Sequence, residues 1–350
     1  MNSELQLSFD QSLWHLKSPL NTSHGSISER ASLSLRVQSE SDDATVGLGE
    51  AAPLPGWSSE TLDEVIQQLS SIETALPRFD PSDAAAFDSW LDHEQIRSTS
   101  LRFGLACAAM DFEAQVQQKS WGAMLGEDVS AALPVALLCS SRDVATRAYQ
   151  TGARTLKLKA GMELDAETQL LRDVLAEGSD LRLRIDVNQG WSIDEALSTW
   201  EHWSFAHQAI EFIEEPLRTE DSHHWETLMR VGMPLAFDES VRSERDLDAL
   251  VSRELSGVIV LKPSLIGTPN EVLRLARKAK RSGFDVMVSN LIETSVTRLY
   301  CAHIAGLIRP VMAAGLGTGD LFECDWGKLK VEEDAVIELS RYRTSRECML

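Results

Sequence analysis

Apolar positions along the chain follow two rhythms. Within 4–10 (ELQLSFD) and 31–38 (ASLSLRVQ) apolar and polar residues alternate, as half-buried strands require when successive side chains point to opposite faces. The stretch between them, 21–30 (NTSHGSISER), is polar, contains Gly25 and reads as a connection. Gly and Pro then punctuate GLGEAAPLPGWSSETLDEV (47–65), and Ser58 or Ser59 is the expected cap of a helix running to about Leu76, where Pro77 stops it. Further helical spacing covers 81–93 and 101–118. Strands followed by helices predict a small α+β domain over 1–130.

From Leu133 the rhythm changes. Eight short apolar runs occur at 133–138, 153–159, 181–188, 209–215, 234–239, 257–262, 284–289 and 310–315. Stretches with helical spacing separate them, among them DAETQLLRDVLAE (165–177) and PNEVLRLARKAKRSG (269–283). Strand–helix units repeated in this way predict a (β/α)8 barrel of the TIM type over 131–319, with compact loops and a degenerate last helix. Residues 320–350 exceed what a barrel needs and are expected to return to the N-terminal domain.

The polar residues at the ends of these runs change the picture. The second run ends in Lys157-Leu158-Lys159, the third carries Asp186 and Asn188, and the fourth ends at Glu214. The fifth ends in Asp238-Glu239, the sixth at Lys262-Pro263 and the seventh at Ser289-Asn290. Lys159, Asp186, Glu214, Asp238, Lys262 and Ser289 follow one another at intervals of 24 to 28 residues, one strand–helix repeat each. They therefore stand at one height at the C-terminal mouth, where barrels place their active sites. A single carboxylate here is most simply an ion-pair partner of Arg182 or Arg184. Three in register repel one another unless a cation neutralises them, and an all-oxygen set suits Mg²⁺, with Mn²⁺ as the alternative. Lys157 and Lys159 share a strand face, so each is expected to depress the other's pKa and free one amine as a base. Lys262 falls across the barrel from them, a suitable place for a cation that stabilises an enediolate.

Composition narrows the classes. The 350 residues contain 33 Lys+Arg against 54 Asp+Glu, a net charge of −21, and no basic run, which argues against nucleic acid as a partner. No apolar stretch is long enough to cross a membrane, and the N-terminal residues lack the pattern of a signal peptide. Five dispersed cysteines without CxxC spacing read as reduced thiols, so a cytoplasmic location is expected. His223-His224 are adjacent and share no helix face, which argues against a histidine metal site. Self-association is left open.

Together KLK, DVN, EEP, DES and VLKP resemble the motifs of the enolase superfamily, in its muconate-lactonizing subgroup. The segments GLGEAAPLPGWSSETL, RFGLACAAMDFEA and VSNLIETSVTRLYCAHIAG extend the likeness over nearly the whole chain. The resemblance implies Mg²⁺ on Asp186, Glu214 and Asp238. It implies that Lys159 removes the proton α to a substrate carboxylate and then assists loss of hydroxide, with Lys157 beside it and Lys262 stabilising the enediolate. Asn188, Ser289, Asn290 and Trp57 are the expected substrate contacts, although Asn290 stands where serine is usual. Two loops of the N-terminal domain, about 17–27 and 50–58, are expected to cap the mouth. The implied reaction is a lyase dehydration of 2-succinyl-6-hydroxy-2,4-cyclohexadiene-1-carboxylate in menaquinone biosynthesis. The alternative is an isomerase acting on N-acylamino acids or dipeptides. Epimerases of dipeptides carry acidic residues on strand eight for the substrate's amino group, and this chain reads AAGLGTGD at 313–320.

Overall fold

The computed structural model describes residues 5–349 apart from 23–24, 41, 73–74, 127–128 and 310–311. Strands β1 (Leu5–Thr22), β2 (Gly25–Ser39) and β3 (Asp42–Ala51) form an antiparallel sheet in the order β3-β2-β1-β4, where β4 is only Ala75–Leu76. The expected polar connection at 21–30 is instead strand, with Leu20 opposite Ile27 and Thr22 opposite Gly25. Backbone pairing carries the hairpin outward, and Leu20 and Ile27 face each other across it among polar residues, so no hydrophobic alternation announces it.

Helix α1 (Leu62–Ser70) is shorter than expected and starts later. Thr61 caps it: Glu64 N donates to the Thr61 hydroxyl at 3.3 Å and Thr61 N to the Glu64 carboxylate at 2.7 Å. Ser58 is occupied elsewhere, accepting from Leu54 N at 2.9 Å, and Glu60 accepts from Ser100 N at 3.0 Å. Helices α2 (Ala84–His93) and α3 (Thr99–Val116) follow. Helix α3 is buried along nearly its whole length and lies against β3 so closely that a Cβ on Gly49 would stand 2.1 Å from Gly104 O. Glycine is what permits that approach.

The eight apolar runs form β5 (Ala132–Leu138), β6 (Thr155–Lys159), β7 (Arg182–Asp186), β8 (Ile210–Glu214), β9 (Leu235–Phe237), β10 (Val258–Leu261), β11 (Asp285–Val288) and β12 (Ala314–Gly317). They are parallel neighbours from β5 through to β11, with β12 on the other side of β5, and a bridge between Ser289 and Gly315 closes the ring. The eighth run begins later than the spacing suggested, and Pro310 and Val311 lie outside the described residues. Helices α4 (Arg142–Gln150), α5 (Leu164–Leu175), α6 (Ile193–His202), α7 (Trp225–Arg230), α8 (Glu244–Ser252), α9 (Pro269–Arg281) and α10 (Ser295–Leu307) link the strands. After β12 only a short 3-10 turn, Gly319–Leu321, occupies the eighth helix position.

Strand β13 (Val336–Glu338) pairs antiparallel with β5, and α11 (Ser345–Met349) ends the described chain. This last segment touches the N-terminal domain in several places: Phe322 bridges Leu16, and Ser345 N donates to Asp111 of α3 at 2.9 Å. Among the described residues no helix is long and apolar enough to cross a membrane.

Candidate active site at the barrel mouth

Each charged residue at the mouth stands at or just beyond the end of a strand that alternates or is filled with buried apolar residues. Leu156 and Leu158 are buried to either side of Lys157, and Leu183, Ile185 and Val187 pack around Asp186. Pairing in register sets Lys159 beside Asp186 and Asp186 beside Glu214. The chain turns sharply just beyond. Asn188 (φ 47°), Gln189 (φ 59°) and Glu215 (φ 40°) all adopt left-handed backbone, at a cost of ~1–3 kcal/mol each. Gln189 N donates to Glu215 O at 2.7 Å, so the two strained strand ends brace each other.

The structure brings the three lysines and the carboxylates together as a buried network. Lys157 Nζ bridges Asp186 Oδ2 (2.8 Å) and both Glu214 oxygens (2.8 and 2.9 Å). Lys159 Nζ donates to Asp186 Oδ2 at 2.7 Å and to Asn188 Oδ1, and its side chain remains 46% exposed. Lys262 Nζ donates to Asp238 Oδ2. Glu215 accepts from Asp238 N (2.9 Å) and Ser240 N (2.7 Å), which holds the end of β9 in place.

The electrostatics correct one expectation. Burial pushes Lys157 down, but Asp186 and Glu214 outweigh it and hold the ammonium well above its ordinary range, so the lysine pair does not free Lys157 as a neutral amine. Lys262 is raised likewise, against burial, chiefly by Asp238 and Glu239. Burial would raise Asp186, yet Lys157 and Lys159 keep it well below the usual carboxylate range. Burial and repulsion from Asp186 push Glu214 up to about 7, and burial with the nearby Glu239 pushes Glu215 up to about 8.

The donor set can be tested for a metal ion on this basis. Among the described residues no three acidic, histidine or cysteine side chains are drawn together as a ready cage, because Lys157 and Lys262 occupy the carboxylate oxygens. The charge balance nevertheless fits a divalent cation. Five carboxylates (Asp186, Glu214, Glu215, Asp238 and Glu239) stand against three ammonium groups, and burial with repulsion from neighbouring acids pushes Glu214 and Glu215 toward neutral pH or above. Glu239 Oε2 is buried without a hydrogen-bond partner. All available donors are oxygen, which suits a hard ion.

Above the network lies a cavity of about 360 Å³, within the usual size of a small-molecule site. Lys157, Lys159, Lys262 and Arg184 line it, and Asp186 is the only acid among the described lining residues. Apolar side chains, including Leu54, Trp57, Met287 and Leu291, form much of the remaining wall. Of the expected substrate contacts, Asn188, Ser289, Asn290 and Trp57 all line the cavity. Ser289 Oγ donates to Gly315 O at 3.1 Å, and the Asn290 amide is satisfied when its nitrogen donates to Gly315 O (3.2 Å) and its oxygen accepts from Glu293 N (3.2 Å). Trp57 is 7% exposed and packs with Leu54, Leu265 and Leu291. Of the two capping loops, Leu20 from the first and Leu54 and Trp57 from the second reach the cavity, while residues 23–24 of the first lie outside the described set. The Asp320 side chain also lies outside it.

Sequence reasoning missed Arg184 as part of this wall. It is 1% exposed, donates through Nε to Glu211 (2.6 Å) and through Nη1 to Ala313 O (2.6 Å), and leaves Nη2 without a hydrogen-bond partner. Its position two residues before Asp186, on the same strand face, was the available signal.

Comparison with known proteins places these features in context. The enolase C-terminal domain-like family matches residues 140–347. The o-succinylbenzoate synthase of Haemophilus influenzae is 30% identical over 299 residues, covering 85% of this chain and 84% of its own. That of Aliivibrio fischeri is 29% identical over 294 residues, covering 81% and 82%. Among solved structures, N-succinyl Arg/Lys racemase from Bacillus cereus superposes with a TM-score of 0.85 at 19% identity, covering 99% of this chain and 97% of its own. A dipeptide epimerase from Enterococcus faecalis, complexed with Mg and L-Leu-L-Tyr, gives 0.85 at 21% identity and 97% of both chains. At these identities the structural likeness concerns the fold alone.

Proposed function

The chain belongs to the enolase C-terminal domain-like family, and from that premise we propose that it is a lyase converting 2-succinyl-6-hydroxy-2,4-cyclohexadiene-1-carboxylate to o-succinylbenzoate, a step of menaquinone biosynthesis. One observation carries the choice of substrate. The cavity wall offers four cationic side chains and, among its described residues, the single acid Asp186, which Lys157 and Lys159 already engage. Such a wall suits a dicarboxylate with an apolar ring. Among its described residues it offers no second carboxylate for the free ammonium group of a dipeptide. The synthase relatives at 29–30% identity support the same reading.

Asp186, Glu214 and Asp238 would hold a divalent ion, Mg²⁺ in the first place, through carboxylate oxygens that the lysines contact in this structure. When bound, the ion supplies positive charge where the substrate carboxylate becomes an enediolate. Lys159, the most exposed of the three lysines, takes the proton from the carbon α to the carboxylate. The bonding pair moves into the carboxylate, and Lys262, four strands round from the Lys159 strand β6, offsets the developing charge from the opposite wall. The pair then returns, the carbon–oxygen bond to the ring hydroxyl breaks, and Lys159 hands its proton to the departing oxygen, releasing water. Lys157 stays charged throughout and offsets the negative charge of Asp186 and Glu214.

A second reading, racemisation or epimerisation of N-acylated amino acids, uses the same pair of lysines on opposite walls. Assay of the purified protein with the cyclohexadiene substrate and with a panel of N-acylamino acids and dipeptides separates the two. Dehydration is expected to dominate; racemisation in its absence would transfer the assignment to the isomerase.

A further inference from the structure

Two chain segments contribute walls of the cavity: residues 52–57 of the N-terminal domain, through Leu54 and Trp57, and residues 289–292 of the barrel. They meet at one buried side chain. Arg30, on β2 and 3% exposed, donates through Nε to Ile292 O (3.0 Å), through Nη1 to Pro53 O (3.0 Å) and through Nη2 to Ala52 O (2.7 Å). All three partners are main-chain carbonyls, and they belong to two different domains. The planar fork of a guanidinium can satisfy them together, which a lysine cannot do.

What Arg30 holds on the barrel side is conformationally unfavourable. Ile292 is β-branched yet adopts φ 59°, a left-handed conformation in which its Cβ crowds the backbone. A return to ordinary backbone would swing its carbonyl away from Arg30. The neighbouring contacts act in the same direction. Glu293 accepts from Leu291 N at 2.7 Å and from the Ser264 hydroxyl, two residues beyond Lys262, while Thr294 donates to Glu50 of β3 (N at 3.2 Å, Oγ1 at 2.7 Å). Burial lowers the pKa of the Arg30 guanidinium, and the neighbouring Glu293 and Glu50 offset part of that effect. The far end of the N-terminal loop has its own tether, since Arg242 Nη1 donates to Trp57 O at 2.5 Å.

We propose that Arg30 is a positioning residue that fixes the two cavity walls relative to each other and holds Ile292 in its left-handed conformation. It touches no reacting atom; it sets the shape into which the substrate fits. The inference rests on the cavity being the reaction site proposed above, but not on which enediolate-forming reaction occurs there.

The test compares wild type, Arg30→Met and Arg30→Lys by hydrogen–deuterium exchange and by steady-state kinetics. In Arg30→Met, exchange is expected to rise in 52–58 and 289–293 while the barrel strands β7 and β8 stay protected. KM should rise about tenfold or more, the usual scale for a displaced binding wall, with kcat changed less. Arg30→Lys keeps the charge but cannot bridge three carbonyls, so it should loosen the same two segments to a smaller degree; this variant decides the matter if the methionine variant does not fold. Unchanged exchange and KM in either folded variant would overturn the proposal. So would exchange raised uniformly through the whole protein, which would make Arg30 an ordinary structural residue. Exchange needs no substrate, so a failure of the proposed reaction leaves this readout intact.

Discussion

Replacing Lys159 by alanine separates chemistry from folding, because the two lysines of β6 sit in very different surroundings. Lys159 is 46% exposed at its side chain and pairs with Asp186 Oδ2, which Lys157 also contacts at 2.8 Å. Its removal leaves no buried charge without a partner, and a half-exposed ion pair contributes at most ~1 kcal/mol. Midpoint unfolding temperatures should therefore fall by only about 2–4 °C. The kinetic loss is much larger. General acid–base catalysis contributes ~10²–10⁴-fold, about 3–5.5 kcal/mol of barrier, and Lys159 is assigned both the proton abstraction and the proton return. Lys157→Met provides the contrast. Its 13% exposed ammonium bridges two carboxylates that are at most 2% exposed, so its loss strands buried charge at a cost of ~3–5 kcal/mol. Steady-state dehydration, exchange of the substrate α-proton with solvent deuterium, and thermal melting by circular dichroism measure the three effects. Lys159→Ala retaining more than about one hundredth of wild-type turnover, or melting as early as Lys157→Met, would refute the division of roles.

Two further outcomes are expected. Chelation by EDTA should abolish turnover and added Mg²⁺ should restore it, with the fold unchanged by circular dichroism; activity that persists after exhaustive chelation would remove the carboxylates' assigned role. The second concerns Glu50, whose carboxyl burial pushes up to about 7 from an ordinary 4.5. The folded protein therefore binds this proton more tightly than the unfolded chain, so the associated stability is full below about pH 4.5 and is lost as pH rises to about 7. Glu50→Gln keeps the group neutral. Its stability relative to wild type should be near zero at pH 4 and grow by a few kcal/mol, on the order of 3, by pH 8, as urea unfolding at both pH values would report. A difference independent of pH would contradict the argument.

Much of the site could be read from the chain because a barrel strand buried on both faces is apolar nearly throughout. The acids that end LRLRIDVN and AIEFIEE stand out against their apolar neighbours, and the strand–helix period fixes their height relative to the next one. Local pattern was weaker where no apolar face was involved. The hairpin at 21–30 pairs through its backbone without an alternating apolar face, and α1 takes Thr61 as its cap while Ser58 accepts from Leu54 N and Ser59 donates to Glu60.

The sequence by itself determined the class of fold, the strands that carry the charged groups and the spacing that lines them up. Periodicity and strand chemistry are local properties, legible within a few residues. Tertiary structure alone decided how those charges balance. Lys157 became a permanent cation and not a free amine because Asp186 and Glu214 converge on it from two neighbouring strands. It also decided that Arg184 forms part of the cavity wall, and that Arg30 reaches a carbonyl 262 residues away. A charge's environment is the sum over neighbours brought together by folding, and no pattern along the chain carries that sum.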